Sequence, residues 1–227
     1  MTTLAELQTY LKQTGRYTGA IDGDWGRLTE AAILTMLTDG PDTKLTEQEF
    51  VNSANRLGVS PAHIKAVVSV ESSGAGFQAG RPLILPEPHR FSKNTGHRFD
   101  GSHPTVSYRK WKTRPYPKTQ DARYDQLLKM IRLDVDAGFA SASYGKFQIM
   151  GENHKACGFE TSWQFAEAQA RDERTQLIAF EHFIRANGLL KHLQRGDWAA
   201  FARGYNGTAY AQNKYDVKLA QAFKRFS

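Results

Sequence analysis

Glu71 is the residue whose type and spacing most strongly indicate chemistry. It continues the apolar stripe that Ile64, Val67 and Val68 form along one face of a predicted helix. A carboxyl group at the edge of a hydrophobic core loses hydration, which raises its pKa and keeps it protonated, as a general acid requires. The segment 72–74 (Ser-Ser-Gly) ends this helix and places the carboxyl at a surface cleft. The structural alternative is a glutamate that pairs with an arginine or extends into solvent.

Two glycine-rich segments further along the chain carry side chains that suit sugars. The first holds Tyr144 and Gln148 around Gly145, and the second is the pair Tyr205 and Asn206 between two glycines. Aromatic rings stack on pyranose faces, and amides hydrogen-bond hydroxyl and N-acetyl groups. Each segment alone is weak evidence, because Gly-Tyr-Asn-Gly is also a good turn sequence.

Composition limits the class of protein before any motif is considered. The chain has 227 residues, 40% of them hydrophobic, and a formal net charge of +7, which excludes a disordered chain, a collagen or a repeat array. The apolar stretches are too short for a transmembrane helix, and no signal-peptide pattern is present. The single cysteine, Cys157, excludes an internal disulfide and a cysteine-based zinc site. The histidine spacing fits no metal motif, so we expect no metal and no cofactor.

Hydrophobic periodicity predicts a mostly α protein with two domains. Residues 1–42 form a small acidic module, and residues 43–227 form a larger, basic domain, with a linker at 39–44. Residues 81–123 hold ten basic and three acidic residues and most of the prolines, which predicts a long basic loop with a short β-hairpin near 82–91. Such a loop is usually functional and should face an anionic partner.

The three motifs together, in this order, resemble one superfamily. The resemblance is to the goose-type lysozymes and soluble lytic transglycosylases. It is carried by Glu71-Ser-Ser-Gly, Tyr144-Gly-Lys-Phe-Gln148-Ile and Tyr205-Asn206-Gly. The closer resemblance is to the N-acetylmuramidase domain of modular phage endolysins, over residues 45–227, and it is carried by the segments 80–91, 142–151 and 196–207. It implies a lysozyme-like α-helical domain that cleaves the β-1,4 bond between N-acetylmuramic acid and N-acetylglucosamine, with Glu71 at the family's acid position.

The N-terminal residues have a resemblance of their own. Asp22-Gly23 followed by Trp25-Gly26 is similar to the loop of the small three-helix peptidoglycan-binding module. This resemblance implies that Asp22, Gly23 and Trp25 bind the cell wall. The alternative is structural, because Trp25 also suits the core of a minimal domain and Asp22-Gly23 is a turn sequence.

Glycoside hydrolysis needs a base or nucleophile besides the acid. Glu87 is the first candidate, because Pro86 and Pro88 fix the backbone on both sides of it. The alternatives are Asp100 and Asp136 as the second carboxylate, or Glu87 in a structural ion pair with Arg81 or Arg90. The separation of the two carboxyl groups would decide between retention and inversion. The residues predicted to bind the sugar or to position the acid are Tyr144, Gln148, Tyr205 and Asn206. His89 is a further predicted substrate-binding residue, with orientation of Glu87 or a structural role as the alternatives.

Two other functions remain open at this point. A lytic transglycosylase would use one glutamate and leave 1,6-anhydro ends. A non-enzymatic protein would bind the wall or nucleic acid through the basic and aromatic residues of the 81–123 loop, although no nucleic-acid motif accompanies them, and we expect no nucleic-acid partner.

The resemblance also implies partners and a location. Peptidoglycan is the expected substrate of a monomer that stays in the host cytoplasm until a membrane-permeabilising holin releases it to the wall. The C-terminal segment 214–227 is an amphipathic helix with lysines on its flanks. It is predicted to contact anionic outer-membrane lipid, or else to pack on the domain with its lysines in water.

Overall fold

The computed structural model describes residues 2–38, 40–72 and 74–227. Most of these residues are helical, which confirms the predicted fold class. The helices are α1 (Leu4–Gln13), α2 (Arg27–Met36), α3 (Glu47–Leu57), α4 (Pro61–Glu71), α5 (Pro88–Asn94), α6 (Gln120–Leu133), α7 (Val135–Ala140), α8 (Ser162–Gln169), α9 (Glu173–Ala186), α10 (Leu190–Gln194), α11 (Trp198–Asn206) and α12 (Tyr215–Phe226). Short 3₁₀ turns span Gly151–Asn153 and Thr208–Asn213.

Local sequence explains where the helices that lead to Glu71 begin and end. Thr46 caps α3 and forms a capping box with Glu49, and Gly58 ends this helix in the left-handed conformation. Pro61 then occupies the first position of α4, where its missing N–H costs nothing. Helix α4 ends at Glu71, as predicted, while Ser73 of the predicted terminating segment lies outside the described residues.

The strands are short and form two small sheets. Strands β1 (Phe77–Gln78) and β2 (Arg81–Pro82) make an antiparallel hairpin. Strand β3 (Ile84–Pro86) pairs with β4 (Ala142–Tyr144), which pairs with β5 (Ile149–Met150). The predicted hairpin near 82–91 is therefore shifted towards the N-terminus, and α5 interrupts the predicted loop. The irregular stretch runs only from 95 to 119, between α5 and α6, and the name basic loop refers to these residues from here on.

Helix α12 packs along α4, so the C-terminal segment covers the helix that carries Glu71. The rings of Phe223 and His63 lie 4.3 Å apart at one end of this pair. Leu219 and Ala222 are buried, while Val217 and Phe226 remain exposed. The apolar stripe of α12 thus packs mainly on the domain, which is the alternative considered above, and the lipid contact stays a prediction.

The N-terminal module, α1 and α2 with the loop between them, is docked on α8. Two helices lie in the described part of residues 1–42, where three were expected. Tyr10 packs its ring 4.4 Å from that of Trp163 and donates its hydroxyl to Glu167 at 2.5 Å. Arg16 pairs with the other oxygen of Glu167 at 2.8 Å. The buried side chains of α1 and α2 are continuous with the core of the larger body, so residues 1–42 and 43–227 as separate domains stay a prediction.

Gly40 holds the linker close to the larger body. A Cβ atom at this position would lie 2.1 Å from the carbonyl oxygen of Ala170, so only glycine allows this approach. Asp39, the first residue of the predicted linker, lies outside the described residues. In the described part of the chain, every helix is too short or too polar to span a bilayer.

Candidate active site

Glu71 lies at the C-terminal end of α4 with its carboxyl enclosed by protein atoms, while the residue keeps part of its surface open. Burial raises the pKa of Glu71 to about 7, against a hydrogen bond from Asn206 and the positive charge of Lys218, which both lower it. Asn206 Nδ2 donates to Glu71 Oε1 at 2.9 Å. The arrangement therefore holds a carboxyl group that is protonated in a large part of the molecules at neutral pH.

Two open cavities flank this position. The α6 cavity has a volume of about 410 Å³ and is lined by Glu71, Ser72, Gln78, Leu83, Lys118, Thr119, Gln120, Arg123 and Gln148. The α11 cavity has a volume of about 590 Å³, and its lining includes Glu87, His89, Trp111, Tyr205, Asn206 and Tyr215. Because Asn206 lines the second cavity and bonds Glu71 in the first, the two cavities meet at this pair of side chains.

The two amide atoms of Asn206 differ in their hydrogen bonding, since Nδ2 donates to Glu71 and Oδ1 does not accept a hydrogen bond from a described residue. Its Oδ1 atom is buried and has no hydrogen-bond partner among the described residues. A buried acceptor without a partner is costly, so a donor from a ligand would be favourable here. Tyr205, next to it, stacks on Phe201 and donates its hydroxyl to the carbonyl of Phe147 at 2.7 Å. The neighbouring tyrosine thus fixes the end of α11 that presents Asn206.

Glu87 precedes α5 and is held by two side chains. Tyr116 donates its hydroxyl to Glu87 Oε2 at 2.6 Å, and His89 Nδ1 lies 3.2 Å from the same oxygen. Trp111 in turn donates its indole N–H to the Tyr116 hydroxyl at 2.8 Å. These contacts connect the basic loop to the wall of the α11 cavity.

Among the described residues, Glu87 forms no ion pair with Arg81 or Arg90, which was the structural alternative. Arg81 pairs with Asp121 and Arg90 pairs with Glu152, so neither arginine neutralises Glu87. Burial, and after it the charges of Glu71 and Glu87, raise the pKa of Tyr215, which lines the α11 cavity together with Glu87. Tyr215 and Lys218 on α12 were not predicted as part of this region, because no motif marks them.

The glycine-rich segment at 142–150 contributes in two ways. Gln148 lines the α6 cavity with a left-handed φ of 47°, and its amide donates to the carbonyl oxygens of Leu83 and Gly145 at 3.2 and 2.8 Å. Tyr144 is fully buried and donates its hydroxyl to the carbonyl of Phe139 at 3.0 Å. This corrects the expectation that Tyr144 contacts sugar, because it packs in the core beneath the cavity and exposes no surface.

Asp100 and Asp136, the other two candidates for the second carboxylate, are engaged in hydrogen bonds and ion pairs elsewhere in the protein. Asp100 accepts from the hydroxyl of Ser107 at 2.6 Å and pairs with Arg109. Asp136 accepts from the backbone N–H of Thr2 at 2.5 Å. Neither residue lines the two cavities at Glu71. Across the described ranges, no group of histidine, cysteine, aspartate and glutamate has an arrangement that would hold a metal ion.

The predicted wall-binding residues of the N-terminal module form hydrogen bonds with other residues of that module. Asp22 Oδ1 accepts from the Asp24 backbone at 2.9 Å and from Gln8 at 3.0 Å, and Gly23 N–H donates to Gln8 Oε1 at 2.8 Å. Trp25 is partly buried against the core and donates to Glu30 at 3.3 Å. These contacts agree with the structural alternative, although Asp22 keeps an exposed surface.

Comparison with known proteins identifies the class of this helical protein. Residues 60–227 match the N-acetylmuramidase family model, which is most of the chain. The chain therefore belongs to the N-acetylmuramidase family and is a glycoside hydrolase that acts on peptidoglycan. Glu71, Glu87, Gln148 and Asn206 all lie within the matched residues.

A solved structure extends the similarity to the N-terminal module. The crystal structure of the Burkholderia AP3 phage endolysin is similar to the whole chain, with 32% sequence identity and a TM-score of 0.72. The alignment covers 100% of this chain and 95% of the other. A search of the curated proteins finds no match.

Proposed function

We propose that the chain is an endolysin that cleaves the β-1,4 bond between N-acetylmuramic acid and N-acetylglucosamine, with Glu71 as the general acid. The observation that carries this proposal is a carboxyl of pKa about 7 at the junction of two open cavities. A raised pKa supplies the proton at neutral pH, and the cavities leave room for a glycan on both sides of it.

The hydrogen bond from Asn206 supports an assignment of the acting oxygen of Glu71. Asn206 engages Oε1, so the proton is carried on Oε2 and passes to the glycosidic oxygen as the C1–O bond breaks. The leaving sugar departs as an alcohol, and an oxocarbenium-like centre remains at C1. Glu71 becomes a carboxylate that Asn206 and the nearby Lys218 stabilise.

Glu87 is the proposed second carboxylate. It lines the α11 cavity, and Tyr116 and His89 hold its Oε2 atom. The other oxygen is left to activate a water or to attack C1. Asn206 Oδ1 accepts from a sugar N–H or O–H group, and Gln148, Tyr205 and His89 shape the walls that position the glycan.

The proposed biological role is host-cell lysis at the end of a phage infection. The similarity to a phage endolysin supports it. The protein acts as a monomer on peptidoglycan and depends on a holin to leave the host cytoplasm.

Digestion of purified peptidoglycan tests the proposal. The products of the wild type and of Glu71→Gln are reduced with borohydride and analysed by mass spectrometry. We expect reducible N-acetylmuramic acid ends from the wild type and a rate at least about 100-fold lower from the variant, since general acids contribute about 10² to 10⁴. Anhydro ends would instead indicate a transglycosylase, and reducible N-acetylglucosamine ends a glucosaminidase.

A further inference from the structure

The α6 cavity presents two positive side chains that the proposed bond cleavage does not use. Lys118 and Arg123 lie on the wall formed by the end of the basic loop and the first turns of α6. Among the described residues that line the cavity, Glu71 is the acidic one. Lys218, which is outside this lining, is the cation whose charge acts on the Glu71 carboxyl. The two wall cations are therefore free to act on another part of a ligand.

Neither of these cations has a carboxylate partner in residues 2–38, 40–72 and 74–227. Their neighbours differ in this respect, because Arg81, Arg90 and Arg98 pair with Asp121, Glu152 and Asp134. Arg123 donates instead to the carbonyl oxygens of Pro117 at 3.1 Å and Ile84 at 3.3 Å. These bonds fix the guanidinium on the cavity wall and leave further N–H donors unused.

Two of the neutral polar side chains of the cavity, Gln120 and Gln148, are already engaged in hydrogen bonds within the protein. Gln120 accepts from the backbone N–H of Ile84 at 3.0 Å and donates to its carbonyl at 3.3 Å. Gln148 donates to Leu83 and Gly145, and its Oε1 accepts from Ser143 at 2.9 Å. The donors that remain for a ligand are the exposed ammonium of Lys118, the guanidinium of Arg123 and the exposed, neutral amide of Gln78. Such a set of donors selects an anion.

We propose that the α6 cavity binds a carboxylate carried by the lactyl ether of the muramic acid residue next to the cleaved bond. This inference rests on the proposed function. The pyranose rings and N-acetyl groups are uncharged, so the carboxylates of the substrate lie on the lactyl group where it is free, or on the stem peptide where one is amide-linked to it. Lys118 and Arg123 thus make the enzyme specific for muramic acid-containing glycans and disfavour neutral N-acetylglucosamine polymers.

Kinetics of the full-length enzyme on three substrates test this specificity. The substrates are glycan strands with stem peptides, the same strands stripped by an amidase so that the lactyl carboxylate is free, and neutral chitin oligosaccharides. We expect Lys118→Gln to raise KM on the recognised substrate about threefold to tenfold, as the loss of an exposed charge-assisted hydrogen bond predicts. Lys110→Gln, with the same charge change on the same loop, is the matched control.

The comparison of peptide-bearing strands with stripped strands distinguishes a stem-peptide carboxylate from the lactyl carboxylate. A KM increase on peptide-bearing strands alone assigns the cavity to a stem-peptide carboxylate, and an increase on stripped strands assigns it to the lactyl carboxylate. Arg123→Lys should retain more of the preference over chitin than Arg123→Gln. If Lys118→Gln and Lys110→Gln give the same KM on both wall substrates, the inference is wrong while the proposed function stands.

Binding to the inactive Glu71→Gln protein keeps the two proposals separate. Calorimetric titration with muramyl dipeptide, N-acetylmuramic acid and N-acetylglucosamine needs no turnover. We expect tighter binding of a carboxylate-bearing ligand, weakened by added salt and by Lys118→Gln. Equal affinity for all three ligands would overturn the carboxylate site even if the wild type cleaves no peptidoglycan.

Discussion

Gln8 in the N-terminal module and Asn206 beside Glu71 are both amide side chains at the centre of a polar cluster. The amide of Gln8 lies within hydrogen-bond distance of Tyr17, Asp22, Asp24 and Thr29, and its carbonyl accepts from Gly23. Asn206 makes one bond, to Glu71, and leaves its buried Oδ1 atom without a partner in the described structure. One cluster is satisfied within the protein, and the other is incomplete.

This difference separates residues that build the fold from residues that await a ligand. Buried polar groups in stable folds are almost always paired, so an unpaired one on a residue that also lines a cavity, as Asn206 does, indicates a ligand contact. The N-terminal motif Asp22, Gly23 and Trp25 is satisfied internally, whereas Asn206, Lys118 and Arg123 retain unused bonding capacity around Glu71. Three substitutions test this contrast, from the largest expected effect to the smallest.

Gln8→Ala should lower the free energy of unfolding by about 2–4 kcal/mol, because it leaves several polar groups unpaired around a fully buried position. Urea denaturation measures this change. Gln13→Ala, an exposed glutamine on the same helix, is the control. Loss of wall binding with unchanged unfolding energy would show instead that the Gln8 cluster is a ligand site.

Asn206→Ala should lower kcat/KM about tenfold, since one hydrogen bond to Glu71 and one acceptor for substrate are lost. The hydrogen bond from Asn206 lowers the pKa of Glu71, so its removal should move the alkaline limb of the pH–rate profile to higher pH. Asn213→Ala, in the lining of the same cavity, should have a smaller effect. An unchanged alkaline limb would contradict the proposed contact.

Tyr10→Phe should lower the free energy of unfolding by about 0.5–1.5 kcal/mol. The variant loses the hydrogen bond to Glu167 and keeps the ring contact with Trp163. Thermal unfolding measures the change, with Tyr210→Phe as the matched control. Equal midpoints for Tyr10→Phe and the wild type would mean that this hydrogen bond does not stabilise the docked N-terminal module.

Local patterns in the sequence predicted the helices and the position of Glu71 well. The stripe Ile64, Val67 and Val68 is buried as expected, and α4 ends at the carboxyl. These features depend on residues close in the chain, where side-chain periodicity and helix caps determine the structure. The same reasoning explains the error for Tyr144, because a glycine-flanked aromatic has the same local pattern whether it faces a cavity or the core.

Contacts between distant residues could not be predicted from the sequence. Tyr116 reaches Glu87 from the far end of the basic loop, and Tyr215 of α12 lines the α11 cavity together with Glu87. Neither tyrosine lies in a motif, and their roles depend on how the loop and the C-terminal helix pack. The carboxylate partners of Arg81 and Arg90 likewise come from other elements. The sequence therefore could not decide whether either arginine pairs with Glu87.

The protonation of Glu71 is the property on which the proposed mechanism depends most directly. Carbon-13 NMR of glutamate-labelled protein measures it, with Glu71→Gln to assign the resonance. We expect a midpoint near pH 7, with the protonated acid abundant below this value and lost as the pH rises above it. A midpoint near the ordinary value of 4.5 would contradict Glu71 as an acid that is protonated at neutral pH.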